Sequence, residues 1–189
     1  MKLGKTLYVT DRKAWRSWLA KNHNREKEIW LIYYRKSSGK LRISYNDAVE
    51  EALCFGWIDS TVKPIDNDMF AQRFTPRKKG SVLSQMNKER VREMIDKKKM
   101  TKAGLDAIAH AFDQNNDDPS MFTIAPDILK SLKKDKGIWE NFQMFPKRYQ
   151  RIRIGYLESR RKHGKDAFEK SLTNLIKMTK KNKSFGMVR

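Results

Sequence analysis

The chain has 189 residues, an aromatic content of 11% and a formal net charge of +20 at neutral pH. The aromatic content is high for a disordered chain, and the length suits one large domain or a domain with an appendage. The single cysteine, Cys54, excludes an intrachain disulfide and a cysteine-rich zinc site, and the scattered glycines exclude an ordinary P-loop or Rossmann protein.

The first half of the chain alternates between helical and strand patterns. Asp11 or its neighbour Thr10 can cap a helix that runs to about Asn22, because apolar residues recur there at three- and four-residue steps. Residues 28–35 form a continuous aromatic and β-branched run, which predicts a central strand. Ser44 begins an amphipathic helix that Gly56 ends.

Two strand-like runs follow, over residues 57–63 and 69–75, and Pro64 and a polar turn separate them. This spacing predicts an antiparallel hairpin. Ser84 and Thr101 each start a further helical pattern. We therefore predict an α+β fold in which a small, largely antiparallel sheet is covered by helices.

The remainder of the chain is predicted to be a basic helical extension. Residues 114–119 are polar, turn-prone and closed by proline, so we predict a linker there, between an α/β core region over residues 1–113 and a helical segment over residues 120–189. Prolines fit the first turns of two helices, and one apolar face is predicted on the longer of them. The prolines are Pro126 and Pro146, and the face comprises Phe145, Tyr149, Ile152 and Tyr156.

The sequence suggests one pocket. The glycine turn at Gly56 presents Trp57 and Asp59 beside a strand that carries Arg73, so Asp59 and Arg73 are expected to pair, with Trp57 as a stacking wall. The alternative is a core tryptophan with a structural ion pair. The full set of candidate ligand or anion-binding residues is Trp57, Asp59, Arg73, Arg77, Ser84 and Asn87.

Basic residues form the second candidate surface. Residues 119–189 carry 18 Lys or Arg against 6 Asp or Glu. Such a charge attracts nucleic acid, anionic lipid and acidic proteins, and a solvated charged face without a ligand remains open as the alternative. The two tyrosines of the long helix fall on its apolar face, which weakens a base-stacking role for them. The candidates are Lys78, Lys79, Lys147, Arg148, Arg151, Arg160 and Arg161.

No pattern in the sequence predicts catalysis. The three histidines are far apart, no metal-binding motif occurs, and Cys54 lies on the apolar face of a helix, where a buried thiol is the simpler interpretation. We expect no cofactor and no metal; the missing catalytic motifs favour a binding protein, and an enzyme stays open as an alternative. No apolar run is long enough to span a bilayer and the start leads into no signal core, so we expect a cytoplasmic protein without a transmembrane segment.

The segment Ala-Val-Glu-Glu-Ala-Leu-Cys-Phe-Gly-Trp-Ile-Asp occupies residues 48–59 and is the most specific of several recognisable segments within residues 8–112. On these segments the chain resembles the YdeI/OmpD-associated family, also called bacteriocin-protection proteins. The resemblance implies a link to bacteriocin or antimicrobial-peptide tolerance and association with an outer-membrane porin, without an established catalytic activity.

Three hypotheses about function follow. The first is a non-enzymatic accessory protein of antimicrobial tolerance that binds an acidic partner through its basic surface. The second is a nucleic-acid-binding module that uses the helix over residues 147–162 and the basic loop at Arg77, Lys78 and Lys79. The third is an enzyme or small-anion binder at the pocket of Trp57 and Asp59.

Overall fold

The computed structural model describes residues 3–113 and 118–186, which divide into two compact units. The first unit comprises Met1–Val82 and Arg90–Ala111, and the second comprises Leu83–Glu89 and Phe112–Arg189. The elements up to Ile108 are β1 (Thr6–Leu7), α1 (Arg12–Asn22), β2 (Ile29–Tyr34), α2 (Tyr45–Cys54), β3 (Trp57–Pro64), β4 (Met69–Pro76), α3 (Gln85–Asp96) and α4 (Lys102–Ile108). The later helices are α5 (Pro126–Lys133), α6 (Lys136–Met144), α7 (Lys147–Arg161) and α8 (Lys165–Lys180).

The first unit contains a four-stranded sheet in the order β1-β2-β4-β3. β2 and β4 pair antiparallel from Ile29 opposite Phe74 to Tyr34 opposite Met69, and β3 and β4 form the predicted antiparallel hairpin. The short β1 pairs parallel with β2 and was not predicted. The α+β class, with a mostly antiparallel sheet and a helical C-terminal stretch, is therefore confirmed.

Side-chain caps fix the starts of three helices at the predicted residues. Asp11 accepts a hydrogen bond from a backbone amide of the first turn of α1, Ser44 does the same for α2 and Thr101 for α4. Each cap satisfies an amide that would otherwise lack a partner at the helix end. Helix α6 was not predicted, although Asp135 caps it in the same way.

One face of the sheet packs against α1 and α2. Trp15 is fully buried, and its ring meets the ring of Phe74 edge-on at 5.4 Å between centroids. Its indole nitrogen donates to the carbonyl of Ala48 in α2 at 3.0 Å. Burying aromatic area of this size gives the largest single contributions to a core of these dimensions, so the tryptophan ties both helices to the sheet.

The second unit has its own apolar core, built by helices α5 to α8. Phe142, Leu157 and Leu175 are fully buried, and Phe145 and Phe168 pack in the same cluster. Of the predicted linker, residues 114–117 lie outside the described residues. The boundary between the two parts was predicted after residue 113. In the structure the first unit ends at Ala111, and Leu83–Glu89 also belongs to the second unit.

Candidate functional site

Trp57 lies in the core of the first unit, not in a pocket wall. Its side chain is 1% exposed, and its ring meets Trp18 edge-on at 5.8 Å between centroids. Its indole nitrogen donates to the carbonyl of His23 at 3.0 Å. With its only polar atom satisfied and its ring covered, Trp57 has no face left for stacking on a ligand.

The predicted pair between Asp59 and Arg73 is wrong. Asp59 lies opposite Phe74 in the hairpin and accepts hydrogen bonds from Tyr45 at 2.8 Å and Gln72 at 3.3 Å. Because side chains alternate between the faces of a strand, Gln72 and Phe74 share a face with Asp59, and Arg73 lies on the other.

Arg73 instead forms an ion pair with Glu28 on the opposite face of the sheet. The hydrogen bond from Arg73, aided by one from Trp30 at 3.2 Å, lowers the pKa of the Glu28 carboxyl below its ordinary value. Both side chains of the ion pair are about one-third exposed, so the pair adds little to stability. It is a surface ion pair, so Arg73 does not serve as an anion ligand beside Trp57.

The loop after β4 uses Arg77 to close itself. The Arg77 guanidinium donates to the carbonyl of Val82 at 2.9 Å and to the hydroxyl of Ser81 at 3.2 Å, and burial lowers its pKa. Lys78 and Lys79 are exposed. In the second unit the Ser84 hydroxyl accepts from the backbone amide of Asn87 at 3.3 Å, as a cap of α3. The six candidates therefore divide among a core, two sheet faces, a loop and a helix cap.

Two of the predicted basic residues are locally neutralised. Arg151 makes a two-pronged ion pair with the buried Glu89, at 2.7 and 2.8 Å. Arg161 contacts Asp127 at 2.9 Å and Glu158 at 2.7 Å, and its hydrogen bond lowers the pKa of the Asp127 carboxyl. Such satisfied guanidinium groups have less to offer a ligand.

Lys147 borders a cavity of about 530 Å³ in the second unit, together with Trp139 and Phe122. The same cavity includes Arg151, whose charge Glu89 already balances. Arg148 is half-buried in the first turns of α7. The cavity therefore has a lining of apolar and polar residues with one exposed lysine, Lys147, and it does not concentrate positive charge.

A second cavity concentrates cations between α7 and α8, and we call it the α7–α8 cleft. Its volume is about 420 Å³, within the usual range for ligand sites. Helix α7 contributes Arg153, Tyr156 and Arg160 at helical spacing. The rest of the lining includes Lys170, Ser171 and Asn174 of α8, and Phe185. None of the described residues that line the cleft is acidic.

Arg153 is the most unusual residue of the cleft, because it is 7% exposed and has no carboxylate partner among the described residues. Its guanidinium carbon lies 3.9 Å from the ring centroid of Phe185 and 5.0 Å from that of Tyr156. Its Nε is buried and makes no hydrogen bond within the described structure. Burial lowers the pKa of Arg153, as expected for a cation held by aromatic faces alone.

Arg160, seven residues further along α7, repeats part of this pattern. Its Nε is also buried and without a hydrogen-bond partner in the described structure, and across the cleft the exposed Lys170 adds a third cation. Buried arginine donors are normally hydrogen-bonded; Arg77 Nε outside the cleft also lacks a partner within the described structure, but Arg153 and Arg160 bring two such atoms together in one cleft, which leaves room for a shared partner. An anion with several acceptor oxygens would supply it.

The sequence reading identified Arg160 but missed the α8 half of the cleft. The signal was present, because Ala167, Lys170, Ser171 and Asn174 recur at three- and four-residue steps. The reading also placed Tyr156 on the buried stripe, which is wrong: Tyr149 is 4% exposed, but Tyr156 is 42% exposed and lines the cleft.

Comparison with known proteins places the first unit in a family. The model of a domain of unknown function, DUF8412, matches residues 7–107, which is more than half of the chain. The chain belongs to the DUF8412 family. The matched range includes nearly all of the sheet and of helices α1 to α4, and the α7–α8 cleft lies outside it. No characterised protein and no solved structure matches the chain.

The described residues contain no group of three or more His, Cys, Asp or Glu side chains placed to hold a metal ion. No helix within them has the length and apolarity required to cross a membrane. The resemblance to the YdeI/OmpD-associated family is not tested by the DUF8412 match and stays a prediction.

Proposed function

We propose that this protein is a nucleic-acid-binding protein and that the α7–α8 cleft holds phosphate groups of its ligand. The observation that carries the proposal is Arg153, a buried guanidinium without a carboxylate partner among the residues that the structure describes, in a cleft that also contains Arg160 and Lys170. A buried charge without a partner is costly, and the cost is recovered when a complementary charge binds.

The chemistry of the cleft favours phosphate over carboxylate. A guanidinium presents its donors as a fork that matches the oxygens of a phosphate, and a phosphate has enough oxygens for more than one arginine. The contacts of Arg153 with two aromatic rings hold its guanidinium group in place before a ligand binds. The side chain therefore loses little conformational entropy on binding.

The surroundings of the cleft favour a polymer over a small anion. Residues 147–180, which span α7 and α8, carry 11 Lys or Arg against 3 Asp or Glu. A charge distributed along two helices attracts a polyanion from a distance, and each phosphate that it neutralises releases counterions. A single phosphate ion would use only the cleft and gain nothing from the remaining cations.

Nucleic acid is here the acidic partner that the first hypothesis left unspecified, and binding it requires no catalytic residue. Cytoplasmic location is part of the proposal, because nucleic acid is abundant there. The tolerance of bacteriocins and the porin association implied by the family resemblance stay separate predictions.

The proposal is tested by measuring binding of a fluorescently labelled oligonucleotide of mixed sequence to the purified full chain by fluorescence anisotropy. The test variant is Arg160→Gln/Lys170→Gln, which removes two cations of the cleft. The matched control is Lys134→Gln/Lys162→Gln, which removes two exposed cations from the same unit outside the cleft lining. We expect the test variant to bind about 10- to 100-fold more weakly, and the control to bind within about 3-fold of the wild-type protein.

Poly-glutamate of comparable charge is the competing ligand in the same assay. If poly-glutamate displaces the oligonucleotide at equal charge concentration, the ligand is an acidic protein surface and the nucleic-acid proposal fails. Equal weakening in both variants would also contradict it, because binding would then depend on total charge and not on the cleft.

A further inference from the structure

The position of Arg153 in the cleft is incompatible with contact to a double helix. Arg153 is 7% exposed and lies between Tyr156 and Phe185, so a phosphate must enter the cleft to reach it. In a duplex the phosphates follow the convex outer surface of a stiff rod. Such a surface meets protruding side chains, and it does not reach a buried one.

Tyr156 offers the cleft a stacking surface. Its ring is 42% exposed, whereas Arg153 lies 5.0 Å from the ring centroid and supports it from one side. Bases in a duplex are already stacked on one another, but the bases of a single strand are free to stack on an aromatic side chain. An exposed tyrosine beside three cations is the combination used for single strands.

The opposite wall of the cleft supplies polar groups. Asn174 of α8 is exposed and carries both a donor and an acceptor, which suits the edge of an unpaired base. Lys170 lies one turn before it on the same helix. Cations therefore line the cleft together with the exposed ring of Tyr156 and the amide of Asn174, and these groups match the three parts of a nucleotide strand: phosphate, base face and base edge.

We infer that the nucleic acid bound by this protein is single-stranded, and that one nucleotide enters the α7–α8 cleft with its base stacked on Tyr156 and its flanking phosphates on Arg153, Arg160 and Lys170. This inference rests on the proposed function and names the form of nucleic acid and the mode of contact.

The experiment compares three ligands with the full chain in one buffer: a single-stranded oligonucleotide, its duplex, and inorganic polyphosphate, which has phosphates but no bases. The variants are Tyr156→Leu, which removes the ring, and Tyr156→Phe, which keeps it. We expect Tyr156→Leu to weaken single-strand binding about 5- to 150-fold, the effect of one lost base stack, and to weaken polyphosphate binding far less, because Phe185 still contacts the Arg153 guanidinium. Tyr156→Phe should bind like the wild-type protein.

Thermal unfolding of each variant shows that it folds. Since Tyr156 is 42% exposed, both substitutions should leave the midpoint nearly unchanged. If Tyr156→Leu weakens polyphosphate and oligonucleotide binding equally, the ring only positions Arg153 and the inference is overturned. Equal affinity of the wild-type protein for single strand and duplex would also overturn it, but both results would leave nucleic-acid binding intact. If no oligonucleotide binds and polyphosphate does, the proposed function itself fails.

Discussion

Glu51 and Arg153 are both buried charges, but their surroundings differ. Glu51 has 0% exposure and lies among Arg12, Arg16 at 2.6 Å and Lys99 at 3.9 Å. Burial alone would lower the pKa of Arg12, yet its hydrogen bonds to Glu51 and Glu50 outweigh that effect and raise this pKa. Glu51 thus has the compensation that buried ions require, whereas Arg153 has none within the described structure.

The same network affects Cys54, the one thiol of the chain. Cys54 has 0% exposure, and burial together with the charge of Glu51 raises its pKa to about 11, although Arg16 acts in the opposite direction. The thiolate is the nucleophilic form, and this pKa leaves very little of it at neutral pH. The structure therefore agrees with the interpretation of Cys54 as a core residue.

Cys54 should be unreactive in the folded protein. At pH 8 we expect a thiol-specific disulfide reagent to modify the native chain at least about 100-fold more slowly than the chain unfolded in denaturant, because the native thiol is both protonated and covered. The measurement is the release of the coloured leaving group over time. Rapid modification of the native protein would show that Cys54 is accessible, contrary to the structure.

The sign of the pH dependence follows from the same pKa. The folded chain binds the thiol proton more tightly than the unfolded chain does, so the contribution of Cys54 to stability is complete below about pH 8.5 and is lost as the pH rises towards about 11. The free energy of unfolding is measured over this pH range for the wild-type protein and for Cys54→Ala. The difference between the two isolates the contribution of Cys54 from those of the tyrosines.

At the scale of elements, α4 packs against the end of α2 through a glycine. A Cβ placed on Gly104 would lie 2.2 Å from the carbonyl oxygen of Cys54. Thr101, the cap of α4, donates its hydroxyl hydrogen to that same oxygen at 2.6 Å. The last turn of α2 is thus satisfied by the first turn of α4, and only a residue without a side chain allows the two helices to come so close.

Gly104→Ala should destabilise the protein, although alanine is the better helix former by about 1 kcal/mol. The added carbon would meet backbone atoms, which cannot rotate away, so we expect a net loss of about 2 to 3 kcal/mol in the free energy of unfolding. Denaturant titration followed by circular dichroism measures it.

The control is Gly137→Ala in α6, where the nearest atom to the added carbon is Asp135 Oδ1 at 3.4 Å. This change should leave stability unaltered or raise it by up to about 1 kcal/mol. An equal effect of both substitutions would mean that the close approach of α4 to α2 does not determine the outcome at Gly104.

Local signals explain which elements were predictable. The caps at Asp11, Ser44 and Thr101 act within one turn, so the sequence alone located the starts of α1, α2 and α4. The two residues of β1 pair with a strand more than twenty positions away, and such a short run carries no periodicity. Local patterns therefore predict helices better than distant strand pairs in this chain.

Tertiary packing explains the errors at the site. Leu157, and not its neighbour Tyr156, takes the core position of α7. Neighbouring residues differ by about 100° around a helix, and because several faces of α7 are buried, the apolar pattern alone does not identify which of the two faces the core. The pairing of Asp59 with Arg73 failed because the register that sets the face of each side chain also contains a bulge, between Asp59 and Val62. The recurrence at Ala167, Lys170, Ser171 and Asn174 marks one face of α8, but it does not specify that this face lies beside α7, and the cleft depends on that packing.

At the scale of the whole molecule, both units are basic. The first unit carries 23 Lys or Arg against 12 Asp or Glu, and the second carries 19 against 10. Total charge therefore does not distinguish the two units as partners of a polyanion. The salt dependence of binding does distinguish charges that contact phosphates from charges that merely surround them, because only contacts release counterions.

We expect the affinity for a single strand to fall about 20-fold between about 50 and 200 mM salt if three cations of the cleft each contact a phosphate. The logarithmic slope of Arg160→Gln/Lys170→Gln should be shallower by about 1.4, the value for two lost contacts. The slope of Lys134→Gln/Lys162→Gln should equal that of the wild-type protein. Identical slopes for all three would locate the contacts outside the cleft.

Neutralisation of a +20 chain by a polyanion would remove the repulsion that keeps its copies apart, and the sheet edges then become important. One edge, β1, has two residues, and the other, β3, has a bulge and ends with Lys63 and Pro64. Short, bulged, charged or proline-bearing edges are poor templates for a strand from another molecule. Copies that crowd along one strand of nucleic acid would thus lie side by side without their sheets joining into fibres.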